Sequence, residues 1–110
     1  MTTTEVATMI ASLEIPFAYY QFEEGTAEPT PFICYYYGRS NDFVADGTNY
    51  SHIWPLVIEL YTDQKDFARE KAVADKLTAN GFVYTKTTEY IGSERMYMTT
   101  FETEVVITDA

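Results

Sequence analysis

The stretch that most constrains this chain is residues 50–66, YSHIWPLVIELYTDQKD, in which an apolar run gives way to polar residues within a few positions. With the two-residue period of a strand, alternate positions from 52 to 60 share one face, and all of them except His52 are large and apolar. A face of this kind indicates a strand packed on a core. Thr62 and Asp63 can then accept a hydrogen bond from a free backbone N–H. The run therefore predicts a central strand that leads directly into a helix.

Pro55 interrupts this strand, because proline has no N–H to donate to a β-ladder. Two arrangements are compatible with the sequence. Either the regular pairing begins after Pro55, or a bulge or an unpaired side accommodates it. We favour the first arrangement.

Two helices are predicted from apolar residues that recur with helical spacing. The first begins at a cap supplied by Thr4 or one of its neighbours and ends before Pro16. The second covers about residues 63–80 and ends at Gly81, which suits the left-handed position after a last turn. The buried stripes are Val6, Met9, Ile10 and Leu13 in the first helix and Phe67, Val73, Ala74 and Leu77 in the second.

Strands are predicted at residues 17–22, 32–37, 82–91 and 95–108, and a short one at 43–45 lies within an otherwise loop-like stretch. The first two strands are expected to form an antiparallel pair, and the last two form the clearest hairpin. The order of the elements indicates a single domain, residues 1–110, of the α+β class. We predict a mostly antiparallel β-sheet with two helices packed on one face.

The charge of the chain restricts its partners. It contains 7 Lys and Arg against 17 Asp and Glu, which gives a formal net charge of −10. Binding to a nucleic-acid backbone requires clustered basic side chains that release counterions. We therefore expect that the protein does not hold DNA or RNA, and that its charge serves solubility, repulsion from DNA or contact with a basic partner.

Cysteine content and hydropathy bear on the cell compartment. Cys34 is the only cysteine, which excludes an intrachain disulfide and predicts a small buried side chain. The N-terminal stretch MTTTEVATMIASLEIP lacks the basic start and long apolar run of a signal peptide. No window approaches the roughly 20 apolar residues of a membrane span. These patterns predict a cytoplasmic protein with no membrane partner.

The chain carries no recognisable catalytic motif. His52 is the only histidine, and its position on an apolar strand favours a structural or rim role over a catalytic one. A Gly-rich phosphate loop, a GxSxG elbow, an HExxH pair and a Cys/His pair are all missing from the sequence. We therefore predict that the protein is not an enzyme, with no catalytic residues and no cofactor.

Two stretches could bind a ligand, but each of them also has a simpler structural explanation. Asp42 and Asp46 flank Phe43 and could coordinate calcium, but the stretch lacks the EF-hand spacing and its terminal Glu, so no metal site is predicted. The three tyrosines at residues 35–37 could form a stacking platform for carbohydrates or bases. Their apolar strand and the acidic chain favour sheet packing or a protein interface instead.

Glu102 and Glu104 project from the same face of the final strand, and Glu89 can join them across the hairpin. Like charges near one another oppose stability. One interpretation is a solvated edge that blocks aggregation, and this is the plainer one. The other is an acidic surface that must not hold DNA.

Five short stretches, taken in order, carry a resemblance to a known family. They are IPFAYY at 15–20, EGTA at 24–27, DFVAD at 42–46, IELYTD at 58–63 and SERMYM at 93–98. In order and composition they resemble the small tail proteins of long-tailed bacteriophages and of prophages of Gram-positive bacteria. Within that group the chain looks like a tail terminator, or tail-to-head joining, protein.

The resemblance implies a closed ring, expected to hold six copies, that caps the tail tube, ends its polymerisation and joins it to the head. The implied partners are further copies of the chain, the tail tube protein and the head–tail connector protein, and DNA passes through without being bound. The protein would reside in the host cytoplasm during assembly and then in the virion tail.

Under this hypothesis two groups of residues are candidate sites. The candidate subunit interface consists of Arg39, Asp42, Phe43 and Asp46. The candidate acidic lumen face consists of Glu89, Glu102 and Glu104. The alternative hypothesis is an acidic protein-binding module that mimics DNA and inhibits a nucleic-acid-binding protein of the host.

Overall fold

A computed structural model of the protein describes residues 1–21, 29–39, 43–45 and 48–109, with the backbone alone for 43–45 and 48–51. Within these ranges the elements follow in the order α1 (Thr3–Ala11), β1 (Phe17–Tyr19), β2 (Phe32–Tyr37), β3 (Phe43–Ala45), β4 (Thr48–Ser51), β5 (Ile53–Thr62), α2 (Phe67–Ala79), β6 (Tyr84–Ile91) and β7 (Met96–Val106). The strands predicted at 32–37 and 43–45 are thus confirmed.

Five of the strands form one sheet in the order β1-β2-β5-β7-β6, with β5 in the middle. All neighbouring pairs are antiparallel except β1 and β2, and β3 pairs with β4 in a separate two-stranded sheet. The predicted α+β architecture is confirmed. The predicted antiparallel pairing of β1 with β2 is wrong, because the connection at 20–31 has the dozen or so residues that a parallel crossover needs.

The core lies between the two helices and one face of this sheet, here called the helix-side face. Each helix contributes one buried stripe to it, and β5 supplies its centre with Leu56, Ile58 and Leu60. Burial of each such side chain contributes roughly 1.5–3 kcal/mol relative to exposure. A helix as short as α1 is marginal in isolation. Its stability therefore depends on Val6, Met9 and Ile10 in this shared core.

Pro55 lies inside the regular strand. The β7 ladder runs without a break from Ile53 paired with Val106 to the end of β5, so our preference for a ladder that begins after Pro55 is wrong on this side. On the other side, pairing with β2 ends at Leu56, and the Pro55 carbonyl accepts from the N–H of Gly38 at 2.8 Å. The proline nitrogen points to this same side. The unpaired end of the β2 ladder accommodates it.

The helix starts differ from the predicted ones. Thr2 caps α1 and forms a capping box with Glu5. The predicted cap was Thr4 or one of its neighbours, and Thr2 lies two residues before Thr4. Asp66, rather than Asp63, caps α2 by accepting from the N–H of Arg69 at 3.0 Å. Because the cap of α2 lies three residues later than expected, Phe67 lies in the first turn of the helix and is 72% exposed, so its predicted burial is wrong.

A carboxylate takes the buried place that was predicted for Phe67. Glu70 is only 1% exposed, and its oxygens accept from the ammonium groups of Lys65 at 2.6 and 2.7 Å and of Lys86 at 2.7 Å. Burial disfavours its charged form, but the hydrogen bonds and charges of the two lysines outweigh burial and hold the pKa of Glu70 below its usual value. Since Lys86 belongs to β6, Glu70 fastens α2 to the edge of the sheet.

Replacing Glu70 with Gln is expected to lower the free energy of unfolding by about 1.5–3 kcal/mol, the range for hydrogen bonds to charged groups. The reason is that both lysines lose a charged acceptor at a water-poor position. Urea unfolding at neutral pH measures the change. The matched control is Asp75→Asn, which breaks the solvent-exposed pair with Lys71 and should change stability far less than Glu70→Gln does, because water screens that pair.

The same pair of variants gives a pH test. Because the folded pKa of Glu70 is depressed, its contribution is fully present above the unfolded pKa of about 4.3 and is lost as the pH falls through the folded value. The difference between the wild type and Glu70→Gln should therefore shrink in acid. A difference that stays constant with pH, or equal effects of the two variants, would contradict the role given to Glu70.

Candidate functional site

The candidate functional site is the face of the sheet opposite the helices, which we call the open face. In the described part of the chain, the core residues of both helices pack on the helix-side face alone. The alternation and register of the strands place on the open face Phe32, Cys34, Tyr36, Val57, Glu59, Tyr61, Thr85, Thr87, Glu89, Met98, Thr100, Glu102 and Glu104. This face is aromatic on the β2 side and acidic on the β7 side.

The aromatic half is partly covered by its own rings. Phe32 and Tyr61 stack at 4.7 Å between centroids, and Tyr36 stacks on Tyr20 at 5.3 Å. Tyr20 has a positive φ of 69°, which turns the chain and ends β1 at Tyr19, three residues before the predicted end at residue 22. Cys34 is buried in this half, as predicted for a small apolar side chain.

The acidic half contains the three predicted carboxylates and a fourth that was not predicted to join them. Glu102 lies between Val57 and Thr85 in the register, and Glu104 follows two residues on, about 7 Å away. Glu89 shares the face but pairs with Met98, which puts it roughly 13 Å further along the strand. Among the ion pairs in the described part of the chain, none involves these three carboxylates.

The fourth carboxylate is Glu59, in the middle of the open face. It pairs with Thr100 on one side and with Cys34 on the other. Alternation along the strand predicted the face on which Glu59 lies. Its proximity to Glu102 depends on the register between β5 and β7, which periodicity does not give.

Tyrosine hydroxyls lie beside these carboxylates. The Tyr61 hydroxyl donates to Glu59 Oε1 at 3.2 Å, and burial together with this carboxylate raises the pKa of Tyr61 far above its usual value. Burial, followed by the charges of Glu59 and Glu102, also raises the pKa of Tyr36. Both hydroxyls therefore stay neutral at physiological pH. The Tyr61 hydroxyl is already used by Glu59, whereas the Tyr36 hydroxyl can donate to a partner within a surface of negative potential.

The candidate subunit interface is described only in part. Arg39 is exposed and follows the end of β2 by two residues, and Phe43 is the first residue of β3, where only the backbone is described. Asp42 and Asp46 lie outside the described residues. The calcium hypothesis for this stretch therefore stays untested.

Metal binding, histidine chemistry and a three-tyrosine stacking platform find little support in the described part of the chain. It holds no group of three or more His, Cys, Asp and Glu side chains arranged to bind a metal ion. His52 is exposed, and its carbonyl accepts from the N–H of Ile107 at 3.0 Å. The three consecutive tyrosines do not form one platform, because Tyr36 faces the open face while Tyr35 and Tyr37 face the helix side.

Replacing Glu102 with Gln is expected to raise the free energy of unfolding slightly, by about 0.2–0.5 kcal/mol, because it removes repulsion from Glu59 and Glu104. The gain should shrink at high salt, which screens exposed charges. Urea unfolding at two ionic strengths checks both points. Glu94→Gln, in the turn between β6 and β7, is the control, and a loss of stability specific to Glu102→Gln would contradict the repulsion.

Comparison with known proteins leaves the family of this chain open. No protein-family model matches the chain, and no curated protein matches it. Among the described helices, none combines the length and apolar character that a membrane crossing requires. A functional conclusion therefore has to come from the surfaces of the molecule.

Proposed function

We propose that the protein is a structural component of a bacteriophage or prophage tail, which caps the tail tube, ends its polymerisation and joins it to the head connector. It acts as a ring of its own copies, expected to hold six. The observation that carries this proposal is the open face, a broad sheet surface that combines stacked aromatic rings with unpaired carboxylates. Such a surface suits assembly around DNA better than it suits chemistry on a small molecule.

The aromatic half of the open face supports a protein contact. Tyr and Phe are enriched in the buried cores of protein interfaces, where they provide large area for little conformational entropy. Tyr20, which follows β1 and stacks on Tyr36 of the open face, is 59% exposed. Exposed aromatic area of this kind is typical of surfaces that a partner covers.

The two edges of the sheet support a head-to-tail arrangement. A ring joins two different surfaces of each subunit, so that the contact repeats until it closes. β6 pairs with β7 on one side only, and its residues are exposed along almost the whole strand, while β1 at the opposite edge is short and aromatic. The stretch with Arg39, Asp42, Phe43 and Asp46 remains the proposed neighbour contact from the sequence.

The acidic half supports a channel that does not retain DNA. A lumen lined by lysine and arginine would bind phosphates through counterion release, at roughly millimolar to micromolar strength even without base contacts. Glu59, Glu102 and Glu104 instead repel the backbone. We therefore include Glu59 with Glu89, Glu102 and Glu104 in the proposed lumen face.

Deleting the gene from the phage or prophage that carries it is expected to give tails of irregular, excessive length that are not joined to heads, because nothing ends tube growth. Negative-stain electron microscopy of the lysate measures tail length and attachment. Complementation with the wild-type gene is the control. Tails of normal length joined to heads would overturn the proposal, whereas a monomer in dilute solution would not, since the ring can close on the tube.

Converting Glu89, Glu102 and Glu104 to Lys is expected to create DNA affinity where the wild type has none, because the open face then becomes basic. Electrophoretic mobility shifts with duplex DNA at low salt measure it, and affinity should fall steeply as salt rises. Glu14, Asp63 and Glu94, all exposed, receive the same substitutions in the control protein. Equal DNA binding by both proteins would mean that net charge, and not the open face, excludes DNA.

The alternative is an acidic module that mimics DNA and captures a host protein. The collection of four carboxylates on one face favours it. Duplex DNA, however, carries a charge for about every 1.7 Å of its axis, which is far denser than carboxylates placed roughly 7–13 Å apart. Capture from host lysate separates the two functions: tail tube or connector protein supports the first, and a stoichiometric nucleic-acid enzyme supports the second.

A further inference from the structure

The outer edge of β6 is an exposed surface to which a further strand can pair. β6 is the last strand of the sheet, so β7 is its only neighbour in the described part of the chain. The side chains of residues 85–90 are all exposed. A strand edge that nothing covers presents a row of N–H and C=O groups to solvent, and these can form a ladder with another strand.

The backbone groups that point outwards belong to the even-numbered residues of β6. The carbonyl of Val83 accepts from the hydroxyl of Thr103 in β7 at 2.7 Å, and the carbonyl of Ile91 accepts from the N–H of Glu94 in the turn to β7 at 3.2 Å. Odd-numbered residues therefore direct their backbone groups towards β7. Because these directions alternate along a strand, the outward N–H and C=O groups are those of Tyr84, Lys86, Thr88 and Tyr90.

β6 lacks most of the features that protect the edge strands of soluble proteins. Such strands are usually very short, or they carry a proline, a bulge or outward lysines. β6 has eight residues, contains no proline and keeps an unbroken register with β7. Its one lysine, Lys86, contacts the buried Glu70 of α2 at 2.7 Å, so its charge is directed to the helix. The edge is therefore able to accept another strand.

The sequence of the edge indicates which strand that is. Residues 83–91 read VYTKTTEYI, which is nearly the same by residue type in both directions from Thr87. A β-branched aliphatic residue stands at each end, and a tyrosine comes next on each side. A segment with this symmetry is complementary to a second copy of itself in antiparallel orientation, because a twofold axis through Thr87 places similar residues opposite each other.

The neighbouring registers are less favourable. A twofold axis at Lys86 would place the two Lys86 side chains directly opposite each other, and like charges in that position oppose pairing. A twofold axis at Thr88 would place Tyr84 opposite Gly92 and would leave Val83 opposite the turn that follows β6. The register centred on Thr87 has neither defect.

In the register centred on Thr87, the exposed apolar residues of the edge gain partners. Val83 is 90% exposed and Tyr90 is 55% exposed in the single chain. Val83 would lie opposite Ile91 of the second copy, and Tyr90 opposite its Tyr84. Cross-strand pairs of these types stabilise antiparallel sheets. The two helix layers would lie on the same side of the joined sheet, where the exposure of Thr88 and Tyr90 shows that α2 leaves the edge uncovered.

We propose that β6 pairs with β6 of a second copy of this chain around a twofold axis at Thr87, which joins two five-stranded sheets into one. The outward groups of the even-numbered residues then bond in reciprocal pairs. The proposal describes the free protein and does not rest on the tail function above. In the proposed ring the β6 edge would join a different surface, so the dimer and the ring exclude each other, and the dimer keeps free subunits from joining.

Sedimentation velocity of the full-length protein tests the dimer. Concentrations of roughly 1 to 200 μM cover the range in which a small interface dissociates. Each copy carries a formal charge of −10, so the buffer contains about 0.15 M salt to screen the repulsion between copies. We expect a reversible equilibrium between monomer and dimer. A monomer at every concentration would overturn the proposal, and so would species larger than a dimer, which indicate head-to-tail joining.

Three variants test the register. Thr87→Glu places two carboxylates opposite each other on the twofold axis and should weaken the dimer by about fivefold. Thr78→Glu makes the same charge change on the exposed side of α2 and should leave the affinity unchanged. Thr85→Lys places an ammonium group opposite Glu89 of the second copy and should tighten the dimer by about two- to fivefold. Equal effects of Thr87→Glu and Thr78→Glu would overturn the pairing through β6.

A cysteine at the axis gives a test that does not depend on affinity. In the proposed register the two Thr87 Cα atoms lie about 4.5 Å apart, within disulfide range, whereas the two Thr85 Cα atoms lie roughly 14 Å apart. Mild oxidation with copper phenanthroline should therefore link Thr87→Cys into a covalent dimer and leave Thr85→Cys largely unlinked. Cys34 is buried and serves as the background in the wild type. Linkage at 85 equal to that at 87 would overturn the register.

The outcomes for the dimer and for the tail function are separate. A free protein that stays monomeric would overturn the dimer and leave the tail function as it is. Normal tails after deletion of the gene would overturn the tail function and leave the dimer as it is. Far-ultraviolet circular dichroism of each variant confirms that the change lies in association and not in folding.

Discussion

The structure depends on a central strand that is apolar on both faces. Leu56, Ile58 and Leu60 of β5 require cover on one side, and Val57 and Tyr61 require it on the other. The two faces of β5 are covered in different ways. Two helices bury the first side completely, whereas stacked aromatic rings shield part of the second. The open face is therefore neither a core nor an ordinary polar surface. The proposed role in assembly depends on it.

Local patterns predicted the elements well because they depend on nearby residues. The alternation of β5 and β7, the hairpin of β6 and β7 and the fold class all follow from strand and helix periods. The errors occur where a distant contact decides. Pro55 is tolerated because the β2 ladder ends beside it, and Glu70 replaces Phe67 in the buried stripe because Lys86 approaches from another strand. Neither contact can be read from neighbouring residues.

In the candidate sites, too, local patterns predicted some features and distant contacts decided the others. The predicted carboxylates Glu102 and Glu104 share a face because they stand two residues apart on one strand, and Glu89 joins that face at a distance. Glu59 was missed as their neighbour, since only the register between β5 and β7 brings it close. A cleft between α1 and the helix-side face, lined by Ala7 on the helix and by Tyr37 and Trp54 on the sheet, could not be predicted at all. It arises from the mismatch between small residues on α1 and large rings on the sheet, which becomes visible only when both are placed together.

The strand order also determines when the protein can fold. β7 lies between β5 and β6, and its pairing joins Ile53 to Val106 across half the chain. Until β7 has been synthesised, β5 has an open edge and β6 has no neighbour in the sheet. Pairing of such distant segments is slow, and the exposed edges meanwhile favour aggregation. A nascent chain on the ribosome is therefore expected to complete its sheet only after β7 emerges.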